Sequence, residues 1–204
     1  MIVIVDYGMG NLASIKNMVK KVGGKAIVSS DPLEISSASA LILPGVGSFD
    51  NAILKLANSG LKQVILNFVD SGKPLLGICL GMQLLFESSE EGTMNGLGLI
   101  EGSVAKFNFD DGNLKVPHMG WNKVNVKNSN ACNLFNDLEL DNRFYFVHSY
   151  YVICNNSENI CATANYGFEF TCSVKKDNVY GAQFHPEKSH KFGMKFFENF
   201  LEIL

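Results

Sequence analysis

Lys73-Pro-Leu-Leu-Gly-Ile-Cys-Leu-Gly-Met-Gln83 is the stretch whose reading decides the fold. Leu75, Leu76 and Ile78 form a short apolar run, which reads as a buried strand. Gly77 and Gly81 flank Cys79 in a G-x-C-x-G pattern, and a helix start follows. Strand, sharp turn and helix around one nucleophile form the elbow arrangement, here with Cys where Ser often stands. Small flanking residues let the chain close tightly around the turn. The pattern predicts a sulfur lifted out of the sheet into solvent. It also places that sulfur at a helix N-terminus, where unpaired N–H groups favour the thiolate. The plainer alternative is a core cysteine beside two incidental glycines, since free Cys often packs as a small hydrophobe.

Upstream, strands and helices alternate. Ile2 to Val5 is a continuous apolar run, as in a strand buried on both faces. After the loop Asp6-Tyr-Gly-Met-Gly-Asn11, the residues Leu12, Ile15, Met18, Val19 and Val22 share one helix face, and Gly23-Gly24 ends it. That loop lacks the third glycine of a G-x-G-x-x-G fingerprint, which argues against nucleotide binding. Residues 25–28 read as a second strand, Ser30-Asp31-Pro32 as a helix start, and residues 40–43 as a third strand running into Pro44-Gly-Val-Gly47. Helical spacing returns at Leu61, Val64, Ile65 and Phe68, and Gly72 closes it. Such alternation predicts an α/β fold, a mainly parallel central sheet with helices on both faces. Sites in these sheets lie beyond the carboxyl ends of the strands, which brings Gly45-Val46-Gly47 and Cys79 to one edge.

After about Gly96 the pattern changes. Short strands are predicted over residues 99–107, 122–126, 144–153, 160–164, 170–175 and 179–184, with Lys176-Asp177-Asn178 as a hairpin turn. These add antiparallel strands to the sheet. The asparagine-rich stretches 128–136 and 155–159 read as loops. Residues 192–204 form a last helix with Phe196, Phe197, Phe200, Leu201 and Leu204 inward. No repeat or linker divides the chain, so residues 1–204 are expected to form a single domain.

Composition narrows the function. At 204 residues, 47% hydrophobic and 18% charged, the chain suits a soluble globular protein. A net charge of −3 without a basic patch argues against nucleic acid as partner. No apolar run reaches the ~20 residues of a membrane span, and the N-terminus reads as a strand and not as a signal peptide. Cysteines 79, 132, 154, 161 and 172 fit no metal-ligand spacing. No metal and no cofactor are expected, and reduced thiols point to a cytoplasmic protein.

A second chemical motif, Gln183-Phe-His-Pro-Glu187, follows a predicted strand. On an extended backbone His185 and Glu187 point to the same side, and Pro186 keeps the stretch out of helix. A carboxylate beside an imidazole orients it and stabilises its protonated form. An imidazole beside a Cys takes its proton and later returns one to the leaving group. Other histidines compete for that part. His148 sits in an apolar strand as a candidate core histidine, His118 precedes Met119-Gly-Trp121, and His190 lies near the last helix, exposed.

Taken together, Gly77-Ile-Cys-Leu-Gly-Met-Gln83 and His185-Pro-Glu187 resemble the motifs of class I, triad glutamine amidotransferases. Asp6-Tyr-Gly-Met-Gly-Asn11, Pro44-Gly-Val-Gly47, Pro117-His-Met-Gly-Trp-Asn122, Tyr145-Phe-Val-His-Ser-Tyr150 and His185-Pro-Glu-Lys-Ser189 resemble, in the same order, the glutaminase subunits of imidazole glycerol phosphate synthase. The resemblance implies a flavodoxin-like fold and hydrolysis of glutamine to glutamate and ammonia. It implies Cys79 as nucleophile, His185 as acid and base, and Glu187 as the group that orients His185. The oxyanion donors it implies are the N–H of Leu80 and one from Val46 or Gly47, with glycine permitting a peptide flip. Gln83, Ser149 and Tyr150 would hold glutamine.

It further implies a partner, a (β/α)8 barrel synthase in a heterodimer, which consumes the ammonia in histidine biosynthesis. Asn11, Met119, Trp121, Asn122, Tyr145 and Lys188 are the matching interface positions, with Trp121 expected in a loop as an anchor. Three alternatives stay open: the same chemistry feeding a sugar-amidating synthetase; a non-catalytic docking subunit, which would require a damaged triad; and a different elbow-cysteine hydrolase or stress protein of flavodoxin-like type, which usually has His directly after the Cys where this chain has Leu80.

Overall fold

The computed structural model describes residues 1–109, 114–127 and 132–204. Its first half runs β1 (Ile2–Val5), α1 (Leu12–Lys21), β2 (Ala26–Ser29), α2 (Pro32–Ser37), β3 (Ala40–Gly45), α3 (Phe49–Asn58), α4 (Leu61–Asp70), β4 (Leu75–Cys79) and α5 (Leu80–Gln83). The second half adds β5 (Ser88–Ser89), β6 (Gly102–Lys106), β7 (His118–Lys123), β8 (Asn125–Val126), β9 (Arg143–His148), β10 (Tyr150–Cys154), β11 (Ile160–Tyr166), β12 (Phe168–Lys176) and β13 (Val179–Ala182), then α6 (His190–Glu202).

Strands β2, β1, β3, β4 and β13 form a parallel core in that order. The sheet continues antiparallel through β12, β10 and β6. Strand β13 thus brings the end of the chain beside the cysteine strand, with Ala182 in register with Ile78. The predicted hairpin turn is present between β12 and β13, where Lys176 pairs with Val179.

Alternation along β1 sets the two layers. Ile2 and Ile4 face Ile15 and Val19 of α1 and Phe196, Phe197 and Phe200 of α6. Val3 and Val5 face Ile35 of α2, Phe49, Ile53 and Leu56 of α3, and Leu61, Ile65 and Phe68 of α4. Each such side chain removed from water contributes roughly 1.5–3 kcal/mol, so both faces of the sheet are firmly covered. Asp31 caps α2, its carboxylate accepting from the Leu33 N–H at 2.8 Å, with Pro32 at the first position.

Four expectations are corrected. The stretch 144–153 is not one strand: it breaks at Ser149, and β9 leaves the main sheet to pair with β7. Trp121 therefore lies in a strand and not in a loop. Pro186 does not keep its segment extended: it opens a 3-10 turn, Pro186–Lys188, because proline fits the first position of a helical turn. Residues 49–58, unassigned above, form α3. Of the asparagine-rich stretch 128–136, residues 128–131 lie outside the described residues, and Asn133–Phe135 is a 3-10 turn.

Candidate active site

Cys79 ends β4 and begins the turn into α5 with φ 55 and ψ −113. A non-glycine residue in this region is strained and persists only where its surroundings enforce it. Here the enforcement is close packing. A Cβ on Gly81 would overlap the Leu43 carbonyl of β3, and one on Gly77 would press on Gly81 itself. The two glycines let the turn sit directly on the sheet, which is the physical content of G-x-C-x-G. The sulfur is not lifted into open solvent: Cys79 is 7% exposed and lines a cavity of about 310 Å³.

The same cavity is lined by Val46, Gly47, Leu80, Gln83, Ser149, Tyr150 and His185. The structure therefore brings together the predicted nucleophile, the predicted base, the proposed oxyanion residues and the proposed glutamine contacts. Gly47 has φ 108, a backbone state that favours glycine. The end of β3 before it is held from the loop that follows β1, since the Tyr7 hydroxyl donates to the Pro44 carbonyl at 2.6 Å. Lys55 Nζ in turn donates to the Gly8 carbonyl at 2.9 Å, so the glycine loop at residues 6–11 buttresses the cavity wall.

His185 follows β13 and Glu187 sits in the next turn. His185 Nδ1 and Glu187 Oε1 are 2.9 Å apart, with both side chains buried. The carboxylate accepts, so Nδ1 carries a hydrogen and Nε2 is left to act. Burial opposes charge on His185, but the neighbouring Cys79 sulfur and the Glu187 carboxylate together outweigh it and raise its pKa to about 10. Nε2 and Glu187 Oε2 are buried without a hydrogen-bond partner. Ser189 Oγ donates to the His185 carbonyl at 2.6 Å and accepts from the Tyr145 N–H at 3.0 Å, tying the turn to β9.

The chain matches the family described as glutamine amidotransferase class-I over residues 3–204. It is 55% identical to "Imidazole glycerol phosphate synthase subunit HisH 2" of Methanococcus maripaludis, covering 99% of both chains. The chain belongs to the class-I glutamine amidotransferase family, in its HisH branch. Subunit HisH of Leptospira interrogans is 47% identical over 100% of both chains, and subunit HisH 2 of Pseudomonas aeruginosa 48% over 100% of both. Among solved structures, PurLQS from Thermotoga maritima is similar in fold, with a TM-score of 0.73 at 20% identity, covering 99% of this chain and 97% of that one. This bears out the α/β sheet expected from the alternating first half and the amidotransferase fold that the resemblance implied.

Two residues of this amidotransferase site escaped the sequence reading. Gln183, in the motif with His185, donates from Nε2 toward Cys79 Sγ at 3.8 Å. Glu91, the acidic residue lining the cavity, accepts the Phe49 N–H at 2.8 Å and so caps α3. A buried glutamine two residues before a catalytic histidine could have signalled the first. Nothing in the local sequence marks the second.

The interface positions divide. Met119 and Trp121 on β7 are 62% and 47% exposed, unusual for large apolar side chains. Trp121 is opposite Tyr145 in the β7–β9 pairing, and Lys188 Nζ lies 5.6 Å above the Tyr145 ring. His190 stacks on Trp121 at 5.2 Å. Asn122 instead turns its amide inward, donating to the Asn165 carbonyl at 2.8 Å. Asn11 stands just before α1, a helix that contacts the Pro186–Lys188 turn. Among the described residues, no group of three or more His, Cys, Asp or Glu is placed to hold a metal ion, and no helix is long and apolar enough to cross a membrane.

Proposed function

We propose that this chain is the glutaminase subunit of an imidazole glycerol phosphate synthase, working as one domain over residues 1–204. The observation that carries the reading is that Cys79 and His185 line one cavity with buried Glu187 bonded behind His185, in a chain alike over its full length to HisH subunits. Pairing of β13 with β4 supports the single domain, because it joins the two halves of the site in one sheet.

Glutamine enters with its side-chain amide toward Cys79. His185 Nε2 holds the Cys79 proton, as its raised pKa of about 10 favours, and the sulfur attacks the amide carbon. The tetrahedral oxyanion is held by the Leu80 N–H and by Val46 or Gly47. Loss of one such donor costs about 3 kcal/mol of transition-state stabilisation. The carbon–nitrogen bond then breaks, and His185 returns a proton to the departing nitrogen as ammonia. A γ-glutamyl thioester remains. Water, giving a proton to His185, attacks the thioester, and glutamate leaves as the thiolate is restored. Glu187 holds the imidazole so that Nε2 faces the sulfur throughout. Gln83, Ser149 and Tyr150 position the substrate, and the Glu91 carboxylate supplies the negative wall suited to its α-ammonium group.

Ammonia passes to a (β/α)8 barrel synthase docked as a heterodimer on Met119, Trp121, Tyr145 and Lys188, beside the cavity. Docking there excludes water, in which ammonia would protonate and be lost. The assembly works in the cytoplasm, where histidine is made.

The test is acid quench during glutamine turnover, followed by mass spectrometry of the peptides. A γ-glutamyl adduct on Cys79 supports the reading. An adduct confined to Cys132, Cys154, Cys161 or Cys172, with steady turnover, contradicts it.

A further inference from the structure

His118 and His148 have no part in the triad, yet they are buried side by side between β7 and the cavity. The β7–β9 register sets them opposite one another, and His118 Nδ1 lies 2.9 Å from His148 Nε2. The polarity of that bond follows from its two ends. The Tyr150 carbonyl can only accept, so His148 Nδ1, 2.7 Å away, carries a hydrogen. In a neutral imidazole Nε2 is then bare and accepts, which makes His118 Nδ1 the donor. His118 Nε2 is bare in its turn and accepts from Asn122 Nδ2 at 3.2 Å. The Asn122 amide is oriented independently: Nδ2 also donates to the Asn165 carbonyl, and Oδ1 accepts the Lys123 N–H, each at 2.8 Å. Every donor thus points from β7 toward Tyr150.

Aromatic rings keep the pair neutral. His118 lies between Phe146 and Tyr166, with centroids at 4.9 and 4.2 Å, and Phe107 and Phe170 close on His148 at 5.2 and 5.3 Å. A second donor meets the run at Tyr150. The same carbonyl accepts from Gln83 Nε2 at 3.2 Å, and that amide donates to Gln183 Oε1 at 3.0 Å. Gln183 Nε2 is the group that reaches the Cys79 sulfur.

We infer that His118 and His148 are positioning residues, a hydrogen-bond relay that runs one way from Asn122 to the Tyr150 carbonyl, fixes that carbonyl as the acceptor of the Gln83 amide, and so ties the partner-facing strand β7 to the glutamine cavity. Its kinetic readout rests on the glutaminase reading above; its geometry does not. A satisfied core pair would fill space only. The relay instead sets where the substrate's contacts stand, because Tyr150 and Gln83 are both part of the cavity wall.

Two measurements test it. Nitrogen-15 imidazole spectra of the wild-type protein at pH 7 should show both rings neutral with hydrogen on Nδ1. Hydrogen on Nε2 of either ring overturns the relay. The second measurement is the rate of Cys79 alkylation by a diazoketone analogue of glutamine and by iodoacetamide, in the complex with the synthase. His148→Phe keeps a ring and removes the donor to Tyr150, whereas His148→Asn keeps a donor near the Nδ1 position. His148→Phe should slow the glutamine analogue about tenfold, the weight of one hydrogen bond, and leave iodoacetamide within about threefold. His148→Asn should recover most of the loss. Equal slowing of both reagents, or equal loss in both variants, overturns the proposal in favour of space filling. Wild-type labelling by iodoacetamide but not by the glutamine analogue would sink the glutaminase reading, and the tautomer spectra would then judge the relay alone.

Discussion

His185 Nδ1 lies 2.9 Å from Glu187 Oε1 across a turn that the intervening Pro186 starts. The contact leaves only Nε2 of the imidazole free to exchange protons at the cavity. It also explains why two residues so close in sequence meet without an extended backbone: the 3-10 turn folds Glu187 back on the ring.

Glu187→Gln keeps an oxygen acceptor for Nδ1 and removes the charge. The imidazolium is then stabilised less. Glutamine turnover should fall by about 10²-fold or more, with KM changed little. An unaltered rate in a steady-state assay would remove Glu187 from the mechanism.

Cys79→Ala takes away the neighbour that most raises His185, leaving burial to act against Glu187 alone. The pKa of His185, about 10 in the native site, should fall by more than about one unit when titrated by NMR. The sign for stability follows. The folded value exceeds the unfolded value of about 6.5, so His185's contribution is complete below that pH and is lost as pH rises through about 10. A value unchanged by the substitution would separate the two groups.

On the acid side the buried pair dominates. Burial pushes His118 down to about 4 and His148 down to about 3, with His118 and His185 as the titratable neighbours of His148. Below about pH 6.5 the unfolded chain binds more protons, so stability falls as pH drops, by up to about 1.4 kcal/mol per pH unit for each histidine. His118→Phe should flatten the stability profile between pH 6 and 4.5, measured by urea unfolding. An unchanged slope contradicts the assignment of a neutral pair.

Gly81→Ala places a methyl group on the Leu43 carbonyl. Neither backbone can yield without moving β3 from β4. The expected loss is roughly 1–3 kcal/mol, seen as a melting temperature several degrees lower, with glutaminase activity reduced out of proportion because Cys79 moves with the turn. Wild-type stability and activity would show that the close approach is dispensable.

The parallel half of the fold is legible because one physical signal repeats there: apolar runs for strands, 3.6-residue spacing for helices. Even α3 carries that signal, with Phe49, Ala52, Ile53 and Leu56 inward behind Ser48. The triad is legible because its chemistry needs particular residue types beside turn-forming glycine and proline. The rest depends on pairing that no local pattern encodes. Ser149 reads as one more strand residue, yet the sheet divides there, and that division carries Trp121 to the surface and His148 to the cavity. Glu91 and Gln183 act through contacts 42 and 104 residues away in sequence.

Trp121→Ala should weaken synthase binding by about 2 kcal/mol or more, as buried aromatic anchors do, and leave the isolated subunit's melting temperature near wild type. Undiminished affinity in a calorimetric titration would move the docking surface elsewhere.

The central claim is that this chain makes ammonia at Cys79 for a synthase that uses it. The most direct measurement is imidazole glycerol phosphate formation by the Cys79→Ala complex, supplied in turn with glutamine and with ammonium salt. The account predicts no product from glutamine and product at near the wild-type rate from ammonium. Product from glutamine at the wild-type rate would contradict it.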